Sequence, residues 1–175
     1  DGTQGHPFDT IQEAVAAALP STLIHVEDGS YTGPVVIDTA GVSLMGTGVE
    51  NVFITTAAGL VGIDVLADDV TLSGLSVQGG TVGIHFAGTA DRPLQGGRVA
   101  AIAVSNTGPP PGEWNGGMNA YGIGLVYADG VSVTQFTVDG VTGHFKPAGL
   151  ASGVSLCWSN DAVVSGGTIN NVTGG

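Results

Sequence analysis

The chain has 175 residues, enough for one domain with a sizeable core. Its 15 acidic residues face three permanent cations, Arg92, Arg98 and Lys146, so the formal net charge is −12. That balance argues against nucleic acid and anionic membrane as partners, because both need a basic surface. Glycine is abundant, at 31 residues without a collagen period, as in turn-rich β proteins. A single cysteine, Cys157, excludes an intrachain disulfide. No apolar run reaches the roughly 18 residues a membrane span requires.

Residues 1–7 form a turn-rich lead. Thr10-Ile-Gln-Glu13 then fits a capping box. Ile11, Ala14, Val15, Ala18 and Leu19 recur on one helical face, and Pro20 stops the pattern. An amphipathic helix over 9–19 is therefore expected. Its single apolar stripe needs a partner, and the open end of the core that follows is the obvious one. Leu23–Val26 alternates as a first strand, 27–31 is expected as a turn, and Val35–Ile37, 42–44 and 52–54 read as further short strands. Gly46-Thr-Gly48 has the opening of a nucleotide-binding fingerprint. Asn51 stands where the third glycine belongs and a strand follows, so a corner is expected instead.

Residues 62–169 repeat one pattern four times. Aligned on Val70, Gly97, Val131 and Ala162, small or apolar residues recur at offsets 0, 2, 5 and 7. A second register precedes each unit: Gly62-Ile63-Asp64-Val65, Gly83-Ile84-His85-Phe86, Gly122-Ile123-Gly124-Leu125 and Gly153-Val154-Ser155-Leu156. Alternation makes each run a short strand, and the shift from offset 2 to offset 5 marks a bend. One unit cannot bury its own apolar face, whereas stacked units close a continuous core. Ile63, Ile84, Ile123 and Val154 are then expected in one interior ladder, and Val65, Phe86, Leu125 and Leu156 in another, with rungs about 4.8 Å apart. A β-sandwich would also have short strands, but it needs hairpin turns, for which Asp129-Gly130 is the main candidate. The expected fold class is all-β, a parallel β-helix: residues 1–20 as the cap and 21–175 as coils, with the solenoid continuing past residue 175 because no polar capping element closes it.

Phe8-Asp-Thr-Ile-Gln-Glu-Ala-Val15, followed by Leu23–Val26, Gly29-Ser-Tyr31, Val35–Ile37 and Val42-Ser-Leu44-Met-Gly46, resembles the opening of right-handed parallel β-helix proteins of the pectin-lyase-like group. The resemblance covers essentially the whole chain as a fold, and it agrees with the general crossover rule on handedness. It implies an extracellular or cell-surface setting and polysaccharide as partner. The group spans pectate lyases, pectin methylesterases, polygalacturonases and alginate epimerases, but also non-catalytic tailspikes, adhesins and surface-layer proteins. Two readings follow. One is a protein that binds or processes acidic polysaccharide, as a lyase or epimerase if catalytic. The other is a structural or adhesive solenoid. The paired aspartates of the group's hydrolases have no clear match here.

Three insertions interrupt the repeat, at 87–96, 108–120 and 143–152. The last two fall between the offset-7 residue and the next Gly-Ile strand, so they are expected to leave the same corner of neighbouring coils and form one wall. That wall gathers Glu113, Trp114, Tyr121, His144, Phe145 and Lys146. Glu113, Tyr121, His144 and Lys146 are the candidate proton-transfer groups; Trp114 and Phe145 are candidate sugar-stacking surfaces. Arg92 is a further candidate for a substrate carboxylate. The bend after the first strand of each unit carries Asp68, Asp91, Asp129 and Asn160, with Asp69 beside the first. Carboxylates stacked about 5 Å apart would repel, and Ca²⁺ would relieve them; plain Asx-turn chemistry is the competing reading.

Overall fold

The computed structural model describes residues 2–3, 5–110, 119–143 and 150–174. One helix, α1 (Ile11–Ala16), is followed only by strands. These are β1 (Leu23–Val26), β2 (Gly29–Thr32), β3 (Val35–Ile37), β4 (Ser43–Gly46), β5 (Val52–Thr56), β6 (Val61–Val65), β7 (Thr71–Gly79) and β8 (Val82–Ala87). Then come β9 (Leu94–Gln95), β10 (Arg98–Thr107), β11 (Ala120–Val126), β12 (Ala128–Asp129), β13 (Ser132–Gly143), β14 (Ala151–Cys157), β15 (Val163–Ser165) and β16 (Thr168–Gly174).

Every strand pair is parallel and joins one coil to the next. The architecture is a parallel β-helix with a short N-terminal helix. One stack runs β1-β4-β7-β10-β13-β15, and a second shares the distal halves of the long strands, with β2 and β5 at one end and β16 at the other. The third runs β3-β6-β8-β11-β14. The expected ladders are in register: Ile63, Ile84, Ile123 and Val154 face one another in succession, as do Val65, Phe86, Leu125 and Leu156.

The bend inside each repeat has a single backbone cause. The residue at offset 4 lies in the left-handed region in all four units: Gly74 (φ 65°), Ala101 (51°), Gln135 (52°) and Gly166 (63°). One left-handed residue turns the strand; pairing skips it and resumes in β7, β10 and β13, whereas in the last unit the same corner separates β15 from β16.

Glycine in the second register has a packing role. A Cβ at Gly62, Gly83, Gly122 or Gly153 would collide with Val77, Val104, Val138 or Ile169 of the facing stack. Bare backbone there lets the two stacks close on each other. Two apparent gaps in the apolar pattern are filled by neighbours. Phe86 occupies the space beside Gly97, and the Phe136 ring occupies the space over Gly167, where a Cβ would strike it.

The N-terminal expectation needs three corrections. Helix α1 is six residues rather than 9–19. The capping box forms between Thr10 and Glu13, and Ile11 and Val15 are buried, but Leu19 is 74% exposed. The helix is held by one polar clamp: Gln12 Oε1 accepts from Val36 N (2.7 Å) and its Nε2 donates to Val36 O (3.3 Å). That clamp satisfies the main chain of β3 at the edge of its stack, and beyond the helix Ala18 still packs against the core. Finally, Gly29–Thr32 is a strand rather than part of a turn, because its main chain pairs with Val52–Thr55 of the next coil. At the other end, Leu156, Val164, Ile169 and Val172 hold ladder positions whose counterparts in earlier coils are buried, yet they are exposed.

Candidate functional site

The outward face of the third stack is where chemistry-bearing side chains converge. The residue after each ladder isoleucine points away from the core. Val36, Asp64, His85, Gly124 and Ser155 therefore stand in one outward row across β3, β6, β8, β11 and β14. Asp64 to Ser155 spans three strand spacings, about 14 Å. His85 Nδ1 lies 3.1 Å from Asp64 Oδ1, with the two side chains 24% and 27% exposed. A proton on Nδ1 donates to that carboxylate, which fixes the ring and leaves the Nε2 lone pair for chemistry.

The other edge of the imidazole leans over Gly124. A Cβ there would sit 3.4 Å from His85 Cδ2 and 3.2 Å from Tyr121 Cδ2. Gly124 thus leaves open the space between His85 and Tyr121, and a side chain there would crowd both rings. Ser155 follows on the far side, its Oγ 3.8 Å from Cys157 Sγ.

Of the residues expected to carry a site, Tyr121 alone falls in this cluster. Glu113, Trp114, His144, Phe145 and Lys146 lie outside the described residues. The strands that flank their segments adjoin as expected: Thr107 pairs with Val141 on one side, and Ala120 with Ala151 on the other. Asn119 Oδ1 also accepts from Leu150 N at 3.0 Å, tying the two exits together. Arg92 sits in the turn before β9, away from Tyr121, with Nη2 3.4 Å from Asp68 Oδ2.

The aspartate corner differs from its expected composition. Successive main-chain bonds align Asp68, Gln95, Asp129 and Asn160, so Gln95 and not Asp91 stands between the two aspartates. Asp91 lies in the exposed turn ahead of β9, because β9 brings Gln95 into the row instead. Asp68 and Asp129 are then two spacings apart, about 10 Å. Each carboxylate accepts from the next coil: Asp68 from Gln95 N (2.9 Å), Asp129 from Asn160 N (2.7 Å). Among the described residues no three His, Cys, Asp or Glu side chains gather as metal ligands.

The Asn160 main-chain N–H holds the Asp129 carboxyl below its ordinary value, opposed by desolvation and reinforced by the Asn160 and Gln95 side chains. A depressed folded-state value contributes stability above the ordinary carboxylate range, and that contribution is lost as pH falls through it. The urea midpoint of wild type is therefore expected to exceed that of Asp129→Asn at neutral pH, with the gap closing below about pH 4. A gap that persists unchanged in acid would refute the assignment.

Asp64 and His85 were the residues that the sequence reading passed over. Their signal was present: both occupy the third place of the aligned Gly-Ile register, and equal places in successive coils are one strand spacing apart.

Fold and site together define a parallel β-helix bearing an Asp-oriented histidine and a tyrosine on the outward face of one stack. None of the family models, curated proteins or solved structures compared with the chain matches it. No helix among the described residues is long and apolar enough to cross a membrane.

Proposed function

We propose that this chain belongs to an extracellular or cell-surface β-helix protein of the pectin-lyase-like kind, and that the outward face of its third stack acts on acidic polysaccharide. The observation that carries the reading is the His85–Asp64 pair meeting Tyr121 over Gly124. A base and a hydroxyl acid on either side of Gly124 suit proton transfer at C5 of a uronate. His85 Nε2 would take the C5 proton. In β-elimination the C4–O bond breaks, a C4–C5 double bond forms, and the Tyr121 hydroxyl protonates the departing oxygen. In epimerisation Tyr121 would instead return a proton to the opposite face of C5.

The uronate carboxylate needs a cation beside it. Lys146 is the candidate within the chain, since Arg92 is already paired with Asp68 and Arg98 opens β10 in the first stack. Ca²⁺ from the medium is the alternative source of positive charge. A non-catalytic adhesive solenoid is the second reading, favoured by the net charge of −12 against a polyanion.

The deciding experiment incubates the protein with pectate and alginate in deuterated buffer, with and without Ca²⁺. It follows ultraviolet absorbance for unsaturated uronate and deuterium entry at C5. Either signal supports the acid–base reading. Neither signal on any polymer supports the adhesive one.

A further inference from the structure

Tyr121 and Gly124 lie three residues apart on β11, and strict alternation would put them on opposite faces. The strand breaks alternation between them. A Cβ on Gly122 would meet Val138 of the facing stack, and Ile123 beside it is fully buried, so both face inward. Tyr121 and Gly124 therefore share the outward face with His85. A Cβ on Gly124 would come within 3.2 Å of Tyr121 Cδ2 and 3.4 Å of His85 Cδ2. Both distances are shorter than the roughly 3.5–4.0 Å at which carbon atoms rest against each other. The space between the rings is tight even for a methyl group, so a pyranose cannot stand between them. A sugar on this face lies across both rings, and His85 and Tyr121 then address the same side of it. Asp64 holds the Nδ1 edge of the imidazole, and Nε2, bonded to Cδ2, belongs to the edge turned toward Gly124.

From this geometry we infer that the site selects 4-linked uronates whose H5 and O4 lie on the same side of the ring, the mannuronate and glucuronate configurations, and cleaves them by syn elimination. The inference rests on the acid–base reading above. In galacturonate and guluronate H5 and O4 lie on opposite sides, so a base and an acid beneath the ring cannot reach both. In mannuronate and glucuronate both are turned toward the pair. His85 Nε2 takes H5 as a proton, and the C5–H electron pair becomes the second bond between C4 and C5. The C4–O bond breaks with its electron pair on oxygen, which the Tyr121 hydroxyl protonates. The imidazolium then returns its proton through solvent to the Tyr121 phenolate, which restores the pair. Epimerisation needs a proton delivered to the upper side of C5, and a pair beneath the ring does not supply one. Same-side placement thus decides both the reaction and the configuration of the substrate.

Four 4-linked polymers test this: polymannuronate, polyglucuronate, polyguluronate and polygalacturonate. Each is incubated with the protein in deuterated buffer, with and without Ca²⁺. Ultraviolet absorbance reads unsaturated uronate, and NMR reads the configuration and deuteration of C5 in uncleaved polymer. Polymannuronate or polyglucuronate is expected to be cleaved at least about tenfold faster than the other two. That cleavage is expected to be lost in His85→Ala and in Tyr121→Phe, with thermal unfolding confirming that each variant is folded. Cleavage of polyguluronate or polygalacturonate at an equal or greater rate overturns the same-side inference and keeps the acid–base reading. Inverted, deuterated C5 in uncleaved polymer does the same. No signal on any of the four polymers overturns both. Cleavage that persists in both folded variants places the reaction elsewhere and also overturns both.

Discussion

Phe86→Ala is expected to lower the unfolding free energy by about 3–5 kcal/mol, read as a shift in the urea midpoint at constant slope. Phe86 is among the largest fully buried side chains, at 1% exposure. Its ring also fills the space left by Gly97, where a Cβ would approach Phe86 Cε1 to 2.9 Å. Truncation leaves a void bounded by rigid strands, and stacked coils cannot collapse into it without breaking register. Met45, on β4 in the interior of the coil series, is 40% exposed. Met45→Ala is therefore expected to cost less than about 1 kcal/mol. Equal losses at the two positions would show that enclosure does not set the energy.

His85→Ala is expected to lower any uronate turnover by about 10²–10⁴-fold, the usual loss on removing a general base. Binding to the polymer should change less than turnover, because the loss falls on proton transfer. Asp64→Asn separates orientation from basicity. The amide can still hold the ring, but it no longer faces Nδ1 as a carboxylate and can bond the wrong tautomer, so a smaller loss than in His85→Ala is expected. Tyr121→Phe keeps the ring over Gly124 and removes only the hydroxyl. If it abolishes turnover while His85→Ala does not, the roles assigned to the two residues are reversed. If all three variants keep wild-type turnover, the chemistry lies elsewhere.

Two of the expectations that failed, at Leu19 and at Asp91, show where local pattern gives way. Leu19 continues the helical stripe of Ile11 and Val15, but the helix ends at Ala16; Ala18 still packs against the core and Leu19 is left exposed. Asp91 occupies a plausible place in the repeat, but pairing of β9 with β12 selects Gln95 for the corner. At Asp91 the local pattern was overruled by the coil beside it.

Much was readable from the chain alone, because a solenoid places equal positions of successive repeats in contact. The spacing of Ile63, Ile84, Ile123 and Val154 is enough to stack them, and the Thr10–Glu13 capping box is a purely local bond pair. The same logic held the row Asp64, His85, Gly124, Ser155, although the meeting of His85 with Tyr121 over Gly124 depended on where the rings lean. What only the tertiary structure decided are contacts between different positions of the repeat: Phe86 over Gly97, Phe136 over Gly167, Gln12 on the Val36 main chain, and Tyr127 against Trp158. Those depend on the angle at each left-handed corner and on side-chain volume across the core, and neither quantity is written in the spacing of the sequence.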